Sequence, residues 1–314
     1  MDTRGLLLDT ATRIFSDHCD KALLDAAETG EFPERLFGLI RENGFHGLAM
    51  TASELPLIES FLVLKVAGRF ALPLPLAEIL LGNRWLDRDD RLIAIGIGDA
   101  TGARNVPWGR LADSVVAVRV SGEVALLGDF TVTEGTNLAG EPRDRVVADS
   151  VESLELSDDA FSEMALSRVM LMAGALERVL ELSLQYVGER EQFGRPISRF
   201  QAIQHHMAVM AAEVAAAVRA ADAAAEAVEG DRFFLEVAAA KSRVGESVSV
   251  VAELAHQVHG AMGFTHEHQL HHFTRRLWAW RDEFGTELYW QTALGSHVAG
   301  LGADALWEFI ATRG

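Results

Sequence analysis

The spacing of apolar residues predicts helices in the first quarter of the chain. Between about Thr3 and Leu86, apolar residues recur at intervals of three and four, which is the period of an amphipathic helix. Pro73 and Pro75 interrupt this pattern, so a separate helix is expected over Leu76–Leu86.

The pattern then changes to short runs of aliphatic and β-branched residues. These runs cover residues 91–96, 114–120 and 123–127, and they predict strands. Ser121-Gly122 predicts a tight hairpin turn between the last two. So few strands predict a small sheet with an open edge.

From Ser157 the helical period returns and continues almost to the C-terminus. Ser157 and the two aspartates after it predict an N-cap with acidic residues in the first turn. Consecutive helices with short connections pack antiparallel, which is the arrangement of a four-helix bundle. The four predicted helices cover about residues 157–190, 198–229, 232–259 and 286–310.

These elements predict a mainly α protein with a small β domain. A chain of 314 residues is long enough to bury a large core and to form more than one domain. We divide it into an N-terminal helical domain (1–88), a reduced β domain (89–156) and a C-terminal four-helix bundle (157–314).

The net charge limits the kinds of partner that the chain can bind, and the cysteine content indicates its compartment. The net charge of -18 argues against nucleic acid or an anionic membrane, because both require basic surfaces; a small anion held by local arginines remains compatible. A single cysteine, Cys19, excludes an internal disulfide and is typical of a reducing compartment. Asp9 interrupts the N-terminal apolar run, so no signal peptide is expected. No apolar run is long enough for a bilayer, and a cytoplasmic protein is predicted.

The segment Arg190–Gln201 is the most informative motif. Arg190, Gln192 and Phe193 lie at the end of one predicted helix, and Gln201 lies in the first turn of the next. A helix start offers unpaired N–H groups and a partial positive charge, and a guanidinium binds a pyrophosphate through two parallel hydrogen bonds. The combination is suited to an anionic ligand that also carries a flat ring.

On spacing alone, a surface turn is the simpler interpretation of this segment, with Arg190 paired to a glutamate and Phe193 in the core. The segment, however, resembles the signature R-x-x-F-G-x-x-x-x-x-x-Q of the acyl-CoA dehydrogenase family. The resemblance implies that Arg190, Gln192, Phe193 and Gln201 contact the ADP half of FAD. It also implies that this FAD belongs to the neighbouring subunit of a dimer.

A second motif, Gln257–Phe264, follows the third predicted bundle helix. Gly260 and Gly263 free the backbone for positive φ, although a helix C-cap explains these glycines as well. The stretch resembles Q-x-x-G-G-x-G-[YF] of the same family, with Ala261 in place of one glycine. The resemblance implies that Gln257 and Gly260 complete the neighbouring FAD site.

Four histidines follow within residues 265–276, which raises the question of a metal site. With no nearby cysteine and few suitably spaced carboxylates, solvated or interface histidines are the expectation, and no metal is predicted. In the family this segment leads to an arginine, matched here by Arg275. An aspartate typically follows it, where this chain has Arg276.

The family resemblance locates the catalytic base, and this chain lacks it. Acyl-CoA dehydrogenases use a carboxylate to remove the α proton of a thioester while hydride leaves the β carbon for FAD. In most members this base is the glutamate of Y-E-G-T, which aligns with Glu283–Thr286, so that Phe284 takes its position. Other members place the base just before a bundle arginine, here at Ser167 before Arg168. The resemblance therefore implies no catalytic residue at either position.

The β region departs further from the family. It lacks the T-E-P-x-x-G-S-D and W-I-T-N motifs that bind flavin and acyl chain. The resemblance is strong over 157–290, weaker over 1–86 and poor between them. It implies a short degenerate subunit of a heteromeric, α2β2 acyl-CoA dehydrogenase of the actinobacterial steroid-catabolic type. A complete partner subunit would supply the flavin-binding β domain and the base, and the FAD would be shared.

Two other hypotheses stay open on sequence alone. The first is a self-sufficient homo-oligomeric dehydrogenase with a displaced base, for which Glu283, Glu287 and Glu177 are candidates. The second is a non-catalytic scaffold that keeps the fold and binds no flavin.

Overall fold

The computed structural model describes residues 3–89, 92–156 and 159–312. The N-terminal segment is helical, as predicted, and the helix after Pro75 has the predicted bounds. Its helices are α1 (Thr3–His18), α2 (Lys21–Glu28), α3 (Glu34–Glu42), α4 (Leu57–Arg69) and α5 (Leu76–Leu86).

The β region is a closed barrel with the strand order β1-β2-β5-β4-β3. The predicted turn at Ser121-Gly122 joins two antiparallel strands, with Gly122 at a φ of +91°. The strands are β1 (Ile93–Gly98), β2 (Gly102–Pro107), β3 (Ser114–Val118), β4 (Val124–Thr133) and β5 (Arg143–Leu154).

The predicted open edge of the sheet is wrong. Strands β1 and β3 pair in parallel from Ile93 with Ser114 to Ile97 with Val118, and this pairing closes the barrel. The prediction missed β2 and β5 because both contain polar, exposed positions and lack a continuous apolar run. Closure removes the unpaired edge that an open sheet of this size would have to protect.

The C-terminal half is a helical bundle, as predicted. Asp159 caps its first helix, and its side chain accepts a hydrogen bond from the backbone of Ser162 at 3.1 Å; the predicted cap Ser157 lies outside the described residues. The helices are α6 (Ala160–Glu189), α7 (Gln201–Glu226), α8 (Phe233–His259), α9 (Leu270–Asp282), α10 (Glu287–Leu301) and α11 (Leu306–Thr312).

Two details of the bundle differ from the prediction. Helix α9 is additional to the four predicted bundle helices, and it buries charged and imidazole side chains that interrupt its apolar pattern, among them His272 and Arg276. The predicted helix over 286–310 is interrupted, because α10 ends at Leu301 and Gly302 adopts a φ of +82°.

Helices from before and after the barrel share one core. Helices α4 and α6 cross closely at two glycines. A Cβ on Gly68 would lie 2.0 Å from the carbonyl oxygen of Leu171, and one on Gly174 would lie 1.9 Å from that of Lys65. The barrel has a smaller core of its own. The division of the chain into three domains, with boundaries at 88/89 and 156/157, stays a prediction.

Within the described ranges, none of the helices combines the length and apolarity needed to cross a membrane.

Candidate functional site

A strained hairpin follows the end of α6. Its strands are β6 (Glu191–Gln192) and β7 (Arg195–Pro196), and its turn consists of Phe193 and Gly194 with φ values of +52° and +79°. Glycine adopts this left-handed conformation readily. For a large side chain it costs about 1–3 kcal/mol, and such strain is concentrated at functional sites.

The hairpin does not match an ordinary surface turn. Phe193 is 91% exposed, so it does not fill the core. Arg190 forms no ion pair with any carboxylate in the described part of the chain, unlike many of the other arginines. Residues 190–199 contain three arginines and one acidic residue. The segment 190–199 is therefore locally positive in a strongly acidic protein, which favours binding of an anion.

The two sequence motifs meet at one cavity of about 490 Å³. Arg190, Gln192 and Phe193 line it from the hairpin, and Gln257 and Gly260 line it from the end of α8. Gln201, the first residue of α7, does not line it, although the preceding Phe200 does. Apolar and aromatic residues complete the wall, including Tyr186, Ile197, Ile203, Ala261 and Met262.

The lining of this cavity fits the ADP half of a dinucleotide. Its volume lies in the usual range for ligand sites. The lining residues include no carboxylate that would repel phosphate. Arg190 and the amides of Gln192 and Gln257 are suited to phosphate oxygens, and the aromatic walls are suited to a purine. Gly260 has a φ of +57°, and no atom lies within 4 Å of the position of a Cβ, so a ligand can approach its backbone.

Phe284 and Ser167, the two positions at which the family resemblance implies a base, lie in the interior. Phe284 is buried with a φ of +52°. Its ring contacts Phe161 edge-on, and the Arg168 guanidinium lies 5.1 Å from its centroid. Ser167 is fully buried and donates a hydrogen bond to the carbonyl oxygen of Met164 at 2.6 Å. Neither side chain can remove a proton from a substrate.

Glu283, the acid next to Phe284, is occupied by two arginines. The Nε of Arg143 lies 2.8 Å from one carboxylate oxygen, and the Nε of Arg168 lies 2.5 Å from the other. Burial raises the pKa of Glu283, but the two guanidinium groups outweigh burial and hold this pKa at about 2. A carboxylate stabilised in this way is a poor proton acceptor at neutral pH.

Glu283 belongs to a buried ionic cluster that joins all three parts of the chain. Arg168 also pairs with Glu78 of α5, and Arg143 also pairs with Glu141. The sequence gives no signal of this cluster because its members are far apart along the chain. The cluster consists of Glu28, Glu78, Glu141, Arg143, Arg168, Arg276 and Glu283.

The predicted histidine-rich segment contributes to the same cluster. His272 is fully buried, and its Nδ1 lies 2.7 Å from Glu28 Oε1. Arg275 and Arg276 also pair with Glu28. Among the residues that the structure describes, no group of His, Cys, Asp and Glu is arranged to hold a metal ion.

The space beside the ionic cluster is too small for a substrate. A cavity of about 30 Å³ is lined by Glu78, Arg143 and Arg168, among others, and it has room for about one or two water molecules. The other candidate bases lie elsewhere. Glu177 pairs with Arg69 at 3.2 Å, Glu287 lies 3.6 Å from Arg281, and neither glutamate lines this cavity or the larger one.

Comparison with known proteins relates the chain to acyl-CoA dehydrogenases. Residues 154–287 match the family model of the acyl-CoA dehydrogenase C-terminal domain. The chain is 28% identical over 299 residues to the acyl-CoA dehydrogenase IpdE2 of Mycobacterium tuberculosis, which covers 88% of this chain and 91% of that protein. Over these residues the chain is similar to the acyl-CoA dehydrogenase family. Members of this family are flavoprotein oxidoreductases that act on CH–CH groups.

Solved structures show that the acyl-CoA dehydrogenase fold is retained. A chain of the ChsE4–ChsE5 complex from Mycobacterium tuberculosis superposes with a TM-score of 0.83 at 20% identity, covering 95% of this chain and 98% of that one. A chain of the Tcur3481–Tcur3483 steroid acyl-CoA dehydrogenase superposes with a TM-score of 0.81 at 22% identity, covering 96% and 99%. The small β region forms part of this fold.

Proposed function

We propose that this chain is one subunit of a cytoplasmic, heteromeric acyl-CoA dehydrogenase and that it completes the FAD site of a partner subunit. One observation carries the proposal. The two FAD-related motifs converge on a ligand-sized cavity. The base positions implied by the resemblance hold Phe284 and Ser167, and these residues line neither that cavity nor the small cavity beside the ionic cluster. A chain with this combination can hold part of a cofactor and cannot carry out proton abstraction itself.

The chain's residues bind and orient the cofactor. Arg190 and the Gln192 and Gln257 amides hold the pyrophosphate, Phe193 covers a flat ring, and Gly260 lets the dinucleotide approach the backbone. FAD, when bound, supplies the hydride acceptor. The partner supplies the isoalloxazine site and the carboxylate that removes the α proton.

The partner is proposed to be a complete member of the same family in an α2β2 assembly. Two of the structures with this fold are assemblies of differently named chains, ChsE4–ChsE5 and Tcur3481–Tcur3483, and this supports a partner from the family. The second of these is a steroid acyl-CoA dehydrogenase, so we propose a steroid-derived acyl-CoA thioester as the substrate.

Co-purification tests whether FAD binding and activity require the partner subunit. The chain is purified alone and together with a family member encoded beside it, and absorbance at 450 nm and acyl-CoA oxidation are measured. We expect colourless, inactive protein alone and yellow, active protein from the pair. Yellow and active protein from this chain alone would establish the homo-oligomer hypothesis instead. Colourless protein from both preparations would establish the scaffold hypothesis.

The substrate class has its own test. The active pair is assayed with a steroid-derived acyl-CoA and with butyryl-CoA at equal concentrations. We expect the larger kcat/KM with the steroid-derived thioester. A clear preference for butyryl-CoA would reject the substrate class and leave the shared FAD site in place.

A further inference from the structure

Two further arginines lie beside the cavity of about 490 Å³ but do not line it. Arg195 is in β7, and Arg199 ends the short 3-10 helix that precedes α7. Both side chains are exposed. Neither guanidinium forms an ion pair with a carboxylate in the part of the chain that the structure describes. The proposed cofactor site therefore leaves these two charges without a function.

The sequence around these arginines is unusual for this chain. The protein has 46 acidic residues among 314, yet none lies between Glu191 and Glu213. Other exposed arginines also lack an ion pair within the described ranges, but acids lie close to them. Arg13, for example, has Asp9 and Asp17 one helical turn away on either side along α1. By contrast, no acid in the segment 195–212 offsets the two positive charges.

An aromatic ring orients Arg195 in the absence of a carboxylate. The guanidinium lies over the ring of Phe200, 4.3 Å from its centroid. Such a cation–π contact restricts the arginine side chain, and the planar guanidinium can still donate hydrogen bonds. Phe200 itself lines the cavity. The surface that carries Arg195 is therefore continuous with the proposed cofactor site.

The chemistry of this surface fits an acidic protein surface. A guanidinium binds a carboxylate through two parallel hydrogen bonds. Arginine and aromatic residues are enriched at protein–protein interfaces, and Phe193 of the same hairpin is 91% exposed. In a chain with a net charge of -18, a locally basic surface is where an acidic partner can approach with the least repulsion.

We propose that Arg195 and Arg199 form salt bridges with carboxylates of the partner subunit and fix the orientation in which that subunit docks. The inference rests on the proposed function, because the FAD that enters the adjoining cavity belongs to the partner. It adds to that function an interface and the chemistry of the surface that faces it, which must carry aspartate or glutamate.

The test measures association of the two chains separately from FAD affinity. Labelled partner subunit is titrated with this chain under saturating FAD, at about 0.1 M and about 0.5 M NaCl. The variant Arg195→Gln/Arg199→Gln removes both charges. The control Arg13→Gln/Arg35→Gln lowers the net charge by the same amount at exposed positions on α1 and α3. FAD affinity is measured on the assembled complexes by flavin fluorescence.

We expect the variant to weaken association about tenfold at low salt, because two exposed ion pairs are lost, and the control to weaken it less than about twofold. Arg199→Gln alone disturbs no side-chain contact within the described residues, and it should weaken association about threefold. High salt should reduce the difference between wild type and variant, because exposed ion pairs are screened. FAD affinity should stay unchanged, since neither arginine lines the cavity.

Three results would overturn the inference. The first is association of the variant that equals that of the control. The second is a loss of FAD affinity at unchanged association, which would place the two arginines in the cofactor site. The third is self-association of this chain alone that the variant abolishes, which would assign the surface to a second copy. Wild-type chains that do not associate with each other at all would reject the proposed function together with the inference.

Discussion

Charged side chains are unpaired at the cavity of about 490 Å³ but paired in the ionic cluster. At the cavity, Arg190 has no carboxylate partner among the described residues, and the strained Phe193 is exposed. Around the family's base positions, the arginines are buried and every one is paired with glutamate, including Arg168 with Glu78 and Glu283. Unpaired groups at a surface are available to a ligand, whereas groups paired in the interior stabilise the fold. The comparison distinguishes a surface whose charged and aromatic groups are open to a ligand from an interior whose charges are held in ion pairs.

The largest effect is expected from breaking the ionic cluster. Arg168→Ala leaves Glu78 and Glu283 buried without this partner, and we expect the free energy of unfolding to fall by about 3–5 kcal/mol. Urea unfolding of the purified chain measures it. The control is Arg69→Ala, whose partners Glu177 and Glu181 are partly exposed; a loss below about 1 kcal/mol is expected. Equal losses in both variants would contradict a special role for the cluster.

Acid should weaken the same region of the molecule. Burial raises the pKa of Glu28 and of Glu283, but hydrogen bonds and charges from His272, Arg276, Arg143 and Arg168 outweigh burial and lower both values to about 2. Because the folded-state pKa lies below that of the unfolded chain, the unfolded chain binds more protons as the pH falls. The stabilisation is therefore complete at neutral pH and is lost as the pH falls from about 5 toward 2.

Unfolding experiments at pH 6 and pH 3 measure this loss, and we expect about 2–4 kcal/mol. Glu283→Gln is less stable at pH 6 but has one fewer carboxyl to protonate. Its stability should therefore change less between the two pH values. An identical change in the wild type and the variant would show that Glu283 does not contribute to the acid sensitivity.

Local signals in the sequence predicted much of the fold and identified several residues that line the cavity. Helix α5 has its predicted bounds because prolines precede it, and Arg190 and Gln257 lie near the C-terminal ends of predicted helices. The structure adds their convergence on one cavity. Contact with FAD stays a prediction for these residues and for Gln201, which lies outside the cavity lining.

Long-range pairing explains what the sequence did not predict. The barrel closes through β1 and β3, and neither strand carries a local mark of its partner. Arg143 and Arg168 both pair with Glu283, although Arg143 precedes Arg168 by 25 residues and Arg168 precedes Glu283 by 115 residues. Helix α9 was not predicted because its buried histidines and arginines interrupt the apolar pattern of its buried face. In each case the stabilising partner lies on another element.

An intermediate effect is expected at the cavity. Arg190→Ala removes a charge-assisted contact to phosphate and should weaken FAD binding by the complex about 10- to 100-fold, which corresponds to about 1.4–2.7 kcal/mol. The free energy of unfolding should hardly change, because Arg190 has no ion pair among the described residues. Flavin fluorescence titration measures Kd, and Arg13→Ala on the exposed face of α1 is the control. Unchanged FAD affinity in Arg190→Ala would reject the assignment of this residue.

The smallest and most selective effect is expected from relieving the strain at Phe193. Asparagine tolerates the left-handed conformation better than phenylalanine, so Phe193→Asn should raise the free energy of unfolding by about 0.5–1 kcal/mol. It should also weaken FAD binding, because the exposed ring is lost. Phe193→Ala removes the same ring and keeps a side chain that disfavours positive φ, so it should weaken FAD without the gain in stability. Urea unfolding and flavin titration of both variants separate the two effects. A variant that gains stability and keeps full FAD affinity would mean that the strain serves something other than the cofactor.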